Sequence, residues 1–293
     1  MSTFANSSLL VTGASGHLGR GVVEELLARG AGHVIAGTRS PEKIADLAAK
    51  GAMVRAVDFD DPAGLAAAFS GVERLLIVST DGIGKRVVQQ QAAIAAAKAA
   101  GVKHILYTSA PAARPNGDAG LGIEHFWTEQ ALAASGLDFT ILRNHMYAEN
   151  NLADAAHVVS SGQLFGLVGD RGTAYVTRAD AARAAAGALL VAEGKSIEDV
   201  TGPAIVANAE RAELYGTLAG KPVALAEITP EQMVADMVGA GLPQVYAEAL
   251  VAFQKDAVRG YHAIVTDAVE RFSGRKPQAF ADFLAAHKSV LLG

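Results

Sequence analysis

Three glycines near the start of the chain have the spacing of a phosphate-binding turn. An apolar run, Leu9 to Val11, leads into Gly13, Gly16 and Gly19, and a helical pattern follows. Between a strand and a helix, such glycines permit a tight turn, let the backbone approach a pyrophosphate and allow close helix–strand packing. The pyrophosphate then lies at the positive N-terminus of the helix. The pattern predicts a dinucleotide site, and the alternative is a merely tight turn.

The end of the second predicted strand carries a basic residue where NAD-binding proteins usually carry an acid. Such an acid accepts hydrogen bonds from the ribose hydroxyls, but here Thr38 is followed by Arg39, and Lys43 lies a turn later. A guanidinium cannot accept those bonds, but it pairs well with a 2′-phosphate. NADP(H) is therefore favoured over NAD(H), the alternative being a solvated loop arginine. Asp58 and Phe59 end the third strand, where they could meet the adenine, or Asp58 could simply begin a turn or helix.

Alternating strands and helices must position these residues. In the first half of the chain, short apolar runs alternate with alanine-rich helical stretches, which implies parallel pairing through right-handed crossovers. We therefore predict an α/β fold with a Rossmann-type, doubly wound parallel sheet. The predicted strands are Leu9–Val11, His33–Gly37, Met53–Val57, Arg74–Val78, His104–Tyr107 and Phe139–Leu142. The predicted helices between them are Leu18–Arg29, Pro41–Lys50, Pro62–Phe69, Lys85–Ala100 and Glu124–Ser135.

Beyond about Glu149 the alternation loosens and helical patterns dominate. Pro230–Gly239 and Pro243–Lys255 are predicted as helices of a smaller lobe. No repeat or low-complexity linker separates this part from the first half. We predict an NADP-binding Rossmann domain over residues 1–150. Residues 151–293 would form a smaller, mainly helical C-terminal substrate lobe, interleaved with the sheet in one compact unit.

Composition excludes several other classes of protein. The chain has 293 residues, 51% of them hydrophobic, which is enough for a large core. Its formal net charge of -5 gives no overall attraction for nucleic acid. With no cysteine and with scattered histidines, we expect neither a thiol nucleophile nor a metal site. We find no secretion signal and no apolar run long enough for a bilayer, so we expect a cytoplasmic protein without a membrane partner.

Several segments resemble one family of reductases. Val11 to Gly19 resembles the N-terminal motif of atypical short-chain dehydrogenases of the NmrA-like group. The similarity extends through Gly101–Ser109, His125–Glu129 and Leu142–Asn150, which look most like type 2 NAD(P)H:quinone oxidoreductases and triphenylmethane reductases. The resemblance implies a reductase that passes hydride from NADPH directly to a quinone or a similar conjugated aromatic acceptor.

The resemblance also implies roles for individual residues. Ser79, Thr80 and Ser109 would lie along the nicotinamide half of the cofactor. Asn144, Tyr147 and Asn150 would face the acceptor, the first two as catalytic residues. His145 is a further catalytic candidate from its own chemistry, because it could polarise the acceptor or only line the pocket. The remaining cofactor contacts would be Gly13, Ser15, Gly16, His17, Leu18, Gly19, Arg39 and Lys43, with His17 in place of the glutamine expected there.

A strong proton donor is missing from this set. No tyrosine is followed four residues later by lysine, and Thr128 stands where related reductases have a lysine. A simple ketone needs its developing alkoxide protonated or stabilised. A quinone delocalises the charge, so it mainly has to be held at hydride distance. This favours the quinone reductase, which could be a homodimer.

The missing donor leaves two other functions open. The protein could be an NADP(H)-binding redox sensor of the NmrA type, which regulates a protein partner without turnover. It could also be a tailoring reductase that acts on a polycyclic aromatic metabolite. The segment from Asn144 to Asn150 favours the enzyme, since it resembles the reductase branch.

Overall fold

The computed structural model describes residues 3–80, 82–115 and 121–292. These residues form nine strands. They are β1 (Ser8–Val11), β2 (His33–Thr38), β3 (Met53–Ala56), β4 (Arg74–Ile77), β5 (His104–Ser109), β6 (Asp138–Asn144), β7 (Gln163–Leu167), β8 (Lys195–Val200) and β9 (Ala224–Ile228). β5 and β6 run two residues further than predicted, so that Ser109 and Asn144 end their strands.

The helices of the described residues cover the sheet and build a second lobe. They are α1 (His17–Ala28), α2 (Ala45–Ala49), α3 (Pro62–Ala68), α4 (Arg86–Ala99), α5 (Leu121–Ser135), α6 (Ala155–Ser161), α7 (Arg178–Val191), α8 (Asn208–Ala219), α9 (Pro230–Gly239), α10 (Gln244–Val258), α11 (Ala268–Ser273), α12 (Phe280–Ala286) and α13 (Lys288–Leu292), with 3₁₀ helices at Pro41–Ile44 and Ala148–Leu152. Within the described ranges, none of them has the length and apolar character required to cross a bilayer.

Seven strands form one sheet in the order β3-β2-β1-β4-β5-β6-β8. Every neighbouring pair in it is parallel. The predicted Rossmann-type, doubly wound α/β fold is therefore confirmed. The strand order reverses at β1, because the chain first moves outward to β3 and then returns to the other side with β4. In such sheets, ligands bind beyond the carboxyl ends of the strands at this switch point.

Alternate residues of the central strands face two separate cores. Leu9 and Leu76 pack with α1, α7 and α11 on one face. Leu10 and Leu75 pack with α3, α4 and α5 on the other. Strands that are buried on both faces must be apolar at nearly every position. This explains why β1, β2, β4, β5 and β6 stand out as apolar runs in the sequence.

The last strand of the sheet was not predicted. β8 pairs with β6, and Val200 lies opposite Asn144. Lys195, Glu198 and Asp199 make its sequence polar, which an edge strand tolerates because it has only one neighbour. Through β8, residues beyond 150 enter the main sheet and reach the carboxyl end of β6.

The smaller lobe is less purely helical than expected. β7 and β9 pair in parallel as a separate two-stranded sheet. Val158, Tyr215 and Phe283 belong to its main core, which joins α6, α8 and α12. The two helices predicted from residue 230 onward correspond to α9 and α10, and α10 continues to Val258. The lobe leaves α10 beside α5, at the carboxyl end of the sheet.

Candidate functional site

The glycine loop joins β1 to α1 in a tight backbone turn. Gly13 has a φ of +64°, and a Cβ on Gly19 would lie 2.4 Å from the carbonyl oxygen of Gly13. Gly16 caps α1 without a side-chain bond, so the first backbone N–H groups of the helix face outward as donors. Ser15, Gly16 and His17 are exposed along this turn. A backbone of this shape fits the pyrophosphate of a dinucleotide.

The end of β2 meets the glycine loop. The hydroxyl of Thr38 donates a hydrogen bond to Oγ of Ser15 at 3.0 Å. Arg39 follows at once, and Lys43 lies in the first 3₁₀ helix; both are exposed. Their charged groups form no ion pair with any residue that the structure describes. Two available cations therefore stand beside the loop where a 2′-phosphate would lie.

Two other residues predicted as cofactor contacts have visible structural roles. Oδ1 of Asp58 accepts a hydrogen bond from the backbone N–H of Asp60 at 2.9 Å, which is the turn role named as its alternative. Phe59 is half-buried against the core on the α3 side. Leu18 packs into the opposite core, so only its backbone borders the loop.

The carboxyl ends of β4 and β5 are tied together by hydroxyl groups. The backbone N–H of Ser79 donates to Oγ1 of Thr108 at 2.9 Å, and that hydroxyl donates to Oγ of Ser79 at 3.3 Å. The hydroxyl of Thr80 donates to Oε1 of Gln89 at 2.9 Å. Ser79 and Thr80 therefore lie side by side at the edge predicted for the nicotinamide.

Ser109 lies at the same edge, but its hydroxyl is already engaged. It donates to Oε1 of Glu129 on α5 at 2.7 Å. Glu129 also accepts from Arg143 on β6, with Nη2 to Oε2 at 2.6 Å. This hydrogen-bonded ion pair raises the pKa of Arg143 and keeps it charged. The three side chains fix α5 against the ends of β5 and β6, a role that the sequence did not indicate.

Glu124 at the start of α5 holds the loop that follows β4. Its carboxylate accepts from the backbone N–H of Gly84 at 2.8 Å and pairs with Arg86 at 3.4 Å. Nε of Arg86 donates in turn to the carbonyl oxygen of Thr80 at 2.7 Å. The position of Thr80 therefore depends on a buried ion pair between the first residue of α4 and α5.

Asn144 and Tyr147 form a bonded pair beyond the end of β6. Nδ2 of Asn144 donates to the Tyr147 hydroxyl at 3.0 Å. Oδ1 of Asn144 is buried and has no hydrogen-bond partner among the described residues. Burial raises the pKa of Tyr147 to about 12, so the phenol stays protonated at neutral pH. Asn150 is exposed and accepts from Arg178, whose guanidinium lies 5.2 Å from the Tyr147 ring.

His145 is directed toward β8. Its Nε2 bonds Oδ1 of Asp199 at 3.0 Å, and its side chain is fully buried. Its ring lies 6.3 Å from that of His262, which comes from the segment after α10. The structure thus brings Asn144 and Tyr147 together, and places His145 in a second cluster beside them.

Thr128 is buried between α4 and α5. Its hydroxyl donates to Oε1 of Gln90 at 2.8 Å. Nearby, the Tyr107 hydroxyl and Nδ1 of His125 are 2.6 Å apart. Burial raises the pKa of Tyr107 and lowers that of His125 to about 3. Both groups are therefore neutral at pH 7 and suited to holding the helix interface.

The C-terminal lobe contributes residues that sequence analysis did not single out. Arg114, after β5, forms an ion pair with Asp256 on α10 at 2.5 Å, and its guanidinium lies 4.3 Å from the Tyr261 ring. The backbone carbonyl of His262 accepts from the N–H of Ala174. These contacts bring α10 and the following segment against the acceptor side of the crevice. No local motif indicates them, because the partners are distant in the chain.

Comparison with known proteins gives a consistent result. Residues 13–191 match the family of NAD(P)H-binding proteins. The chain is 40% identical over 255 residues to quinone oxidoreductase 2 of Escherichia coli, covering 86% of this chain and 88% of that protein.

Two solved structures extend the similarity to the whole fold. An NADPH-dependent quinone oxidoreductase from Escherichia coli, crystallised with NADPH, has a TM-score of 0.89 at 34% identity, covering 95% of this chain and 99% of that one. The triphenylmethane reductase of Citrobacter sp., in complex with NADP(H), has a TM-score of 0.83 at 29% identity, covering 97% of this chain and 98% of that one.

Proposed function

The chain belongs to the family of NAD(P)H-binding proteins, and we propose that it is an NADPH-dependent reductase of quinones and similar conjugated acceptors. The predicted resemblance to the NmrA-like quinone and triphenylmethane reductases is confirmed by the two solved relatives. The observation that carries the proposal is the position of the Asn144–Tyr147 pair. It lies at the same edge of the sheet as the glycine loop and the Ser79–Thr80 segment.

The cofactor side uses backbone and cations of this chain. The turn at Gly13 and the N-terminus of α1 would bind the pyrophosphate, while Arg39 and Lys43 would bind the 2′-phosphate. Ser79, Thr80 and Ser109 would border the nicotinamide half. When bound there, NADPH supplies a hydride, which carries two electrons.

The acceptor side has polar groups that would position the acceptor rather than protonate it. The Tyr147 phenol, with its pKa near 12, is a weak acid at neutral pH, but its O–H can donate a hydrogen bond. Asn144 offers the unpartnered Oδ1 and orients Tyr147 through its amide. A quinone that has received a hydride needs only one further proton, which water can supply, to become the hydroquinone. This suits a site whose main task is to hold the acceptor at hydride distance.

Anaerobic oxidation of NADPH tests the proposal. The purified protein is mixed with NADPH and a panel of benzo-, naphtho- and anthraquinones, with NADH as the control. We expect rapid loss of NADPH absorbance and slow loss of NADH. Binding of NADPH without oxidation by any acceptor would contradict the reductase and favour a redox sensor. A strong preference for the largest ring systems would favour the tailoring reductase.

Three further properties of the protein remain predictions. The division at residue 150, the homodimer and the cytoplasmic location rest on the sequence alone. A small-molecule acceptor follows from the proposed reaction. Size-exclusion chromatography with light scattering would decide the oligomeric state.

A further inference from the structure

The buried histidines differ in how their ring nitrogens are satisfied. His104 and His125 each bond a hydroxyl group, at 3.0 and 2.6 Å. Both ring nitrogens of His262, and Nδ1 of His145, have no hydrogen-bond partner among the described residues. Buried polar atoms nearly always have partners, because an unpaired one costs free energy. Three such atoms in two neighbouring rings therefore point to a ligand.

The two histidines lie where the fold places its ligands. His145 follows Asn144 directly at the end of β6, and the rings of His145 and His262 are 6.3 Å apart at an angle of 63°. Phe253 of α10 packs 5.3 Å from the His262 ring. The pair is thus enclosed between the carboxyl end of the sheet and the lobe that covers its acceptor side.

The surroundings define the hydrogen-bonding character of each ring. The Asp199 carboxylate can only accept, so Nε2 of His145 donates the bond between them, and Nδ1 of His145 has no partner among the described residues. Burial, aided by His145 and Arg114 and opposed by Asp256, lowers the pKa of His262 to about 4. At pH 7 the His262 ring is therefore neutral, with one N–H donor and one lone pair.

We infer that His262 binds the acceptor, its ring N–H donating a hydrogen bond to a carbonyl oxygen of the bound quinone. This rests on the proposed function and adds the residue that recognises the acceptor's oxygen. When the quinone accepts the two-electron hydride, negative charge develops on an oxygen, and one proton from water then completes the hydroquinone. A neutral N–H aimed at that oxygen stabilises the developing charge. His145, held by Asp199, forms the adjoining wall.

Ring-nitrogen NMR tests the contact without turnover. Protein with ¹⁵N-labelled histidine rings is held as its NADP⁺ complex and titrated with 1,4-naphthoquinone. The chain has no cysteine, so the quinone finds no thiol to alkylate. We expect the His262 ring resonances to shift to saturation while those of His104 stay in place. Saturation without a shift at His262, an equal shift at His104, or no binding would each overturn the inference.

Paired variants and paired ligands give a second test. His262→Phe keeps an aromatic ring without nitrogens, His262→Gln keeps an N–H donor, and His104→Phe is the matched control. We measure the Kd of 1,4-naphthoquinone and of naphthalene, which lacks the oxygens, in the NADP⁺ complex. His262→Phe should raise the Kd of naphthoquinone about tenfold, as expected for one lost hydrogen bond, and leave the Kd of naphthalene unchanged. His262→Gln should recover most of the loss.

Several outcomes separate this inference from the proposed function. A lower Tm in His262→Phe with an unchanged ratio of the two Kd values would make the histidine purely structural and overturn the inference. If His262→Phe does not fold, the ratio of the two Kd values in His262→Gln and the NMR titration of the wild type test the inference instead. Rapid wild-type turnover with an unchanged ratio overturns the inference alone. Naphthoquinone binding through His262 without NADPH oxidation supports the inference and contradicts the reductase.

Discussion

The cofactor half and the acceptor half of the crevice differ in what supplies their contacts. The cofactor half uses a continuous turn, residues 13–19, whose shape depends on the φ of +64° at Gly13 and the close approach at Gly19. The proposed acceptor half would use side chains from β6, β8 and the segment after α10, represented by Asn144, Asp199 and His262. One half is made mainly of backbone, and the other mainly of side chains.

This difference determines which substitutions each half tolerates. A backbone cradle can accept different side chains where they face solvent, as at the exposed His17, but it cannot accept a Cβ where two segments touch. A cluster of polar side chains depends instead on each hydrogen bond. Added side-chain volume should therefore impair binding in the cofactor half, whereas loss of polar atoms should impair binding in the acceptor half.

The largest expected effect is that of Gly19→Val. Its Cβ would lie 2.4 Å from the Gly13 carbonyl oxygen, so the loop or α1 must move. Overpacking of this kind typically costs about 1–3 kcal/mol, and here it also distorts the phosphate cradle. We expect a lower Tm and NADPH binding weakened at least roughly tenfold, a loss of about 1.4 kcal/mol. Thermal unfolding and NADPH fluorescence measure both.

Gly239→Ala is the matched control for that substitution. Gly239 lies in α9, and a Cβ there would meet nothing within 4 Å. We expect unchanged NADPH binding and an unchanged or slightly higher Tm. Equal damage from both substitutions would show that the turn at Gly13 has no special part in the cofactor half.

Acid should destabilise the fold through His262, the buried histidine of the acceptor half. The pKa of His262 falls from 6.5 to about 4 on folding, mainly through burial. The unfolded state therefore binds more protons between these values, and stability rises with pH from about 4 to 6.5 and is complete above 6.5. At about 1.4 kcal/mol per pKa unit, the contribution is up to roughly 3 kcal/mol.

Chemical denaturation across this pH range checks the prediction. His104, whose pKa is also lowered to about 4, should add to the slope in every variant that retains it. In His262→Gln the dependence of the free energy of unfolding on pH should be shallower than in the wild type. An identical slope would mean that His262 does not titrate on unfolding.

Arg39→Glu should change the choice of cofactor without changing the acceptor half. Arg39 is exposed and has no ion-pair partner among the described residues. A hydrogen bond to a charged group contributes about 1.5–3 kcal/mol, so NADPH should bind roughly ten- to hundredfold more weakly. NADH binding should stay equal or improve, because an acid can accept from the ribose.

The exposed Arg275 provides the control, since Arg275→Glu makes the same change in net charge. We expect that variant to keep the wild-type ratio of NADPH to NADH affinity. Should it lose NADPH preference as strongly as Arg39→Glu, the effect would be one of overall charge, and the 2′-phosphate would bind elsewhere.

The smallest effect is expected from Tyr147→Phe. The change removes a phenol that accepts from Asn144 at 3.0 Å, but leaves the ring beside Arg178. Because the phenol positions the acceptor and does not protonate it, kcat/KM for quinones should fall only about three- to tenfold, as for one neutral hydrogen bond. NADPH affinity should stay constant. A loss of a thousandfold would identify Tyr147 as the proton donor instead.

The first six strands and the glycine loop could be predicted because their signals are local. A strand buried on both faces appears as an apolar run, and a turn between strand and helix needs its glycines in sequence order. β8 could not be recognised in this way. As an edge strand with Glu198 and Asp199, it has no apolar pattern, and only pairing with β6 makes it a strand.

Individual site residues show the same limit. Arg39 was identified as a cofactor contact from its position after β2, and the structure leaves its charge available beside the loop. Ser109 was assigned to the cofactor from a resemblance, but its hydroxyl is engaged by Glu129, which only the packing of α5 reveals. His262 carries no motif at all, and only its burial beside His145 marks it.

The α/β class, the dinucleotide turn and the basic residue that favours NADP(H) can all be recognised from the sequence without a structure. These follow from spacing within a few residues, because backbone turns and short strands are set by their neighbours in the chain. The side chains proposed to surround the acceptor are brought together only by tertiary packing. Residues 145, 199 and 262 meet only after β8 has joined the sheet and the segment after α10 has returned to it, and no local pattern encodes that contact.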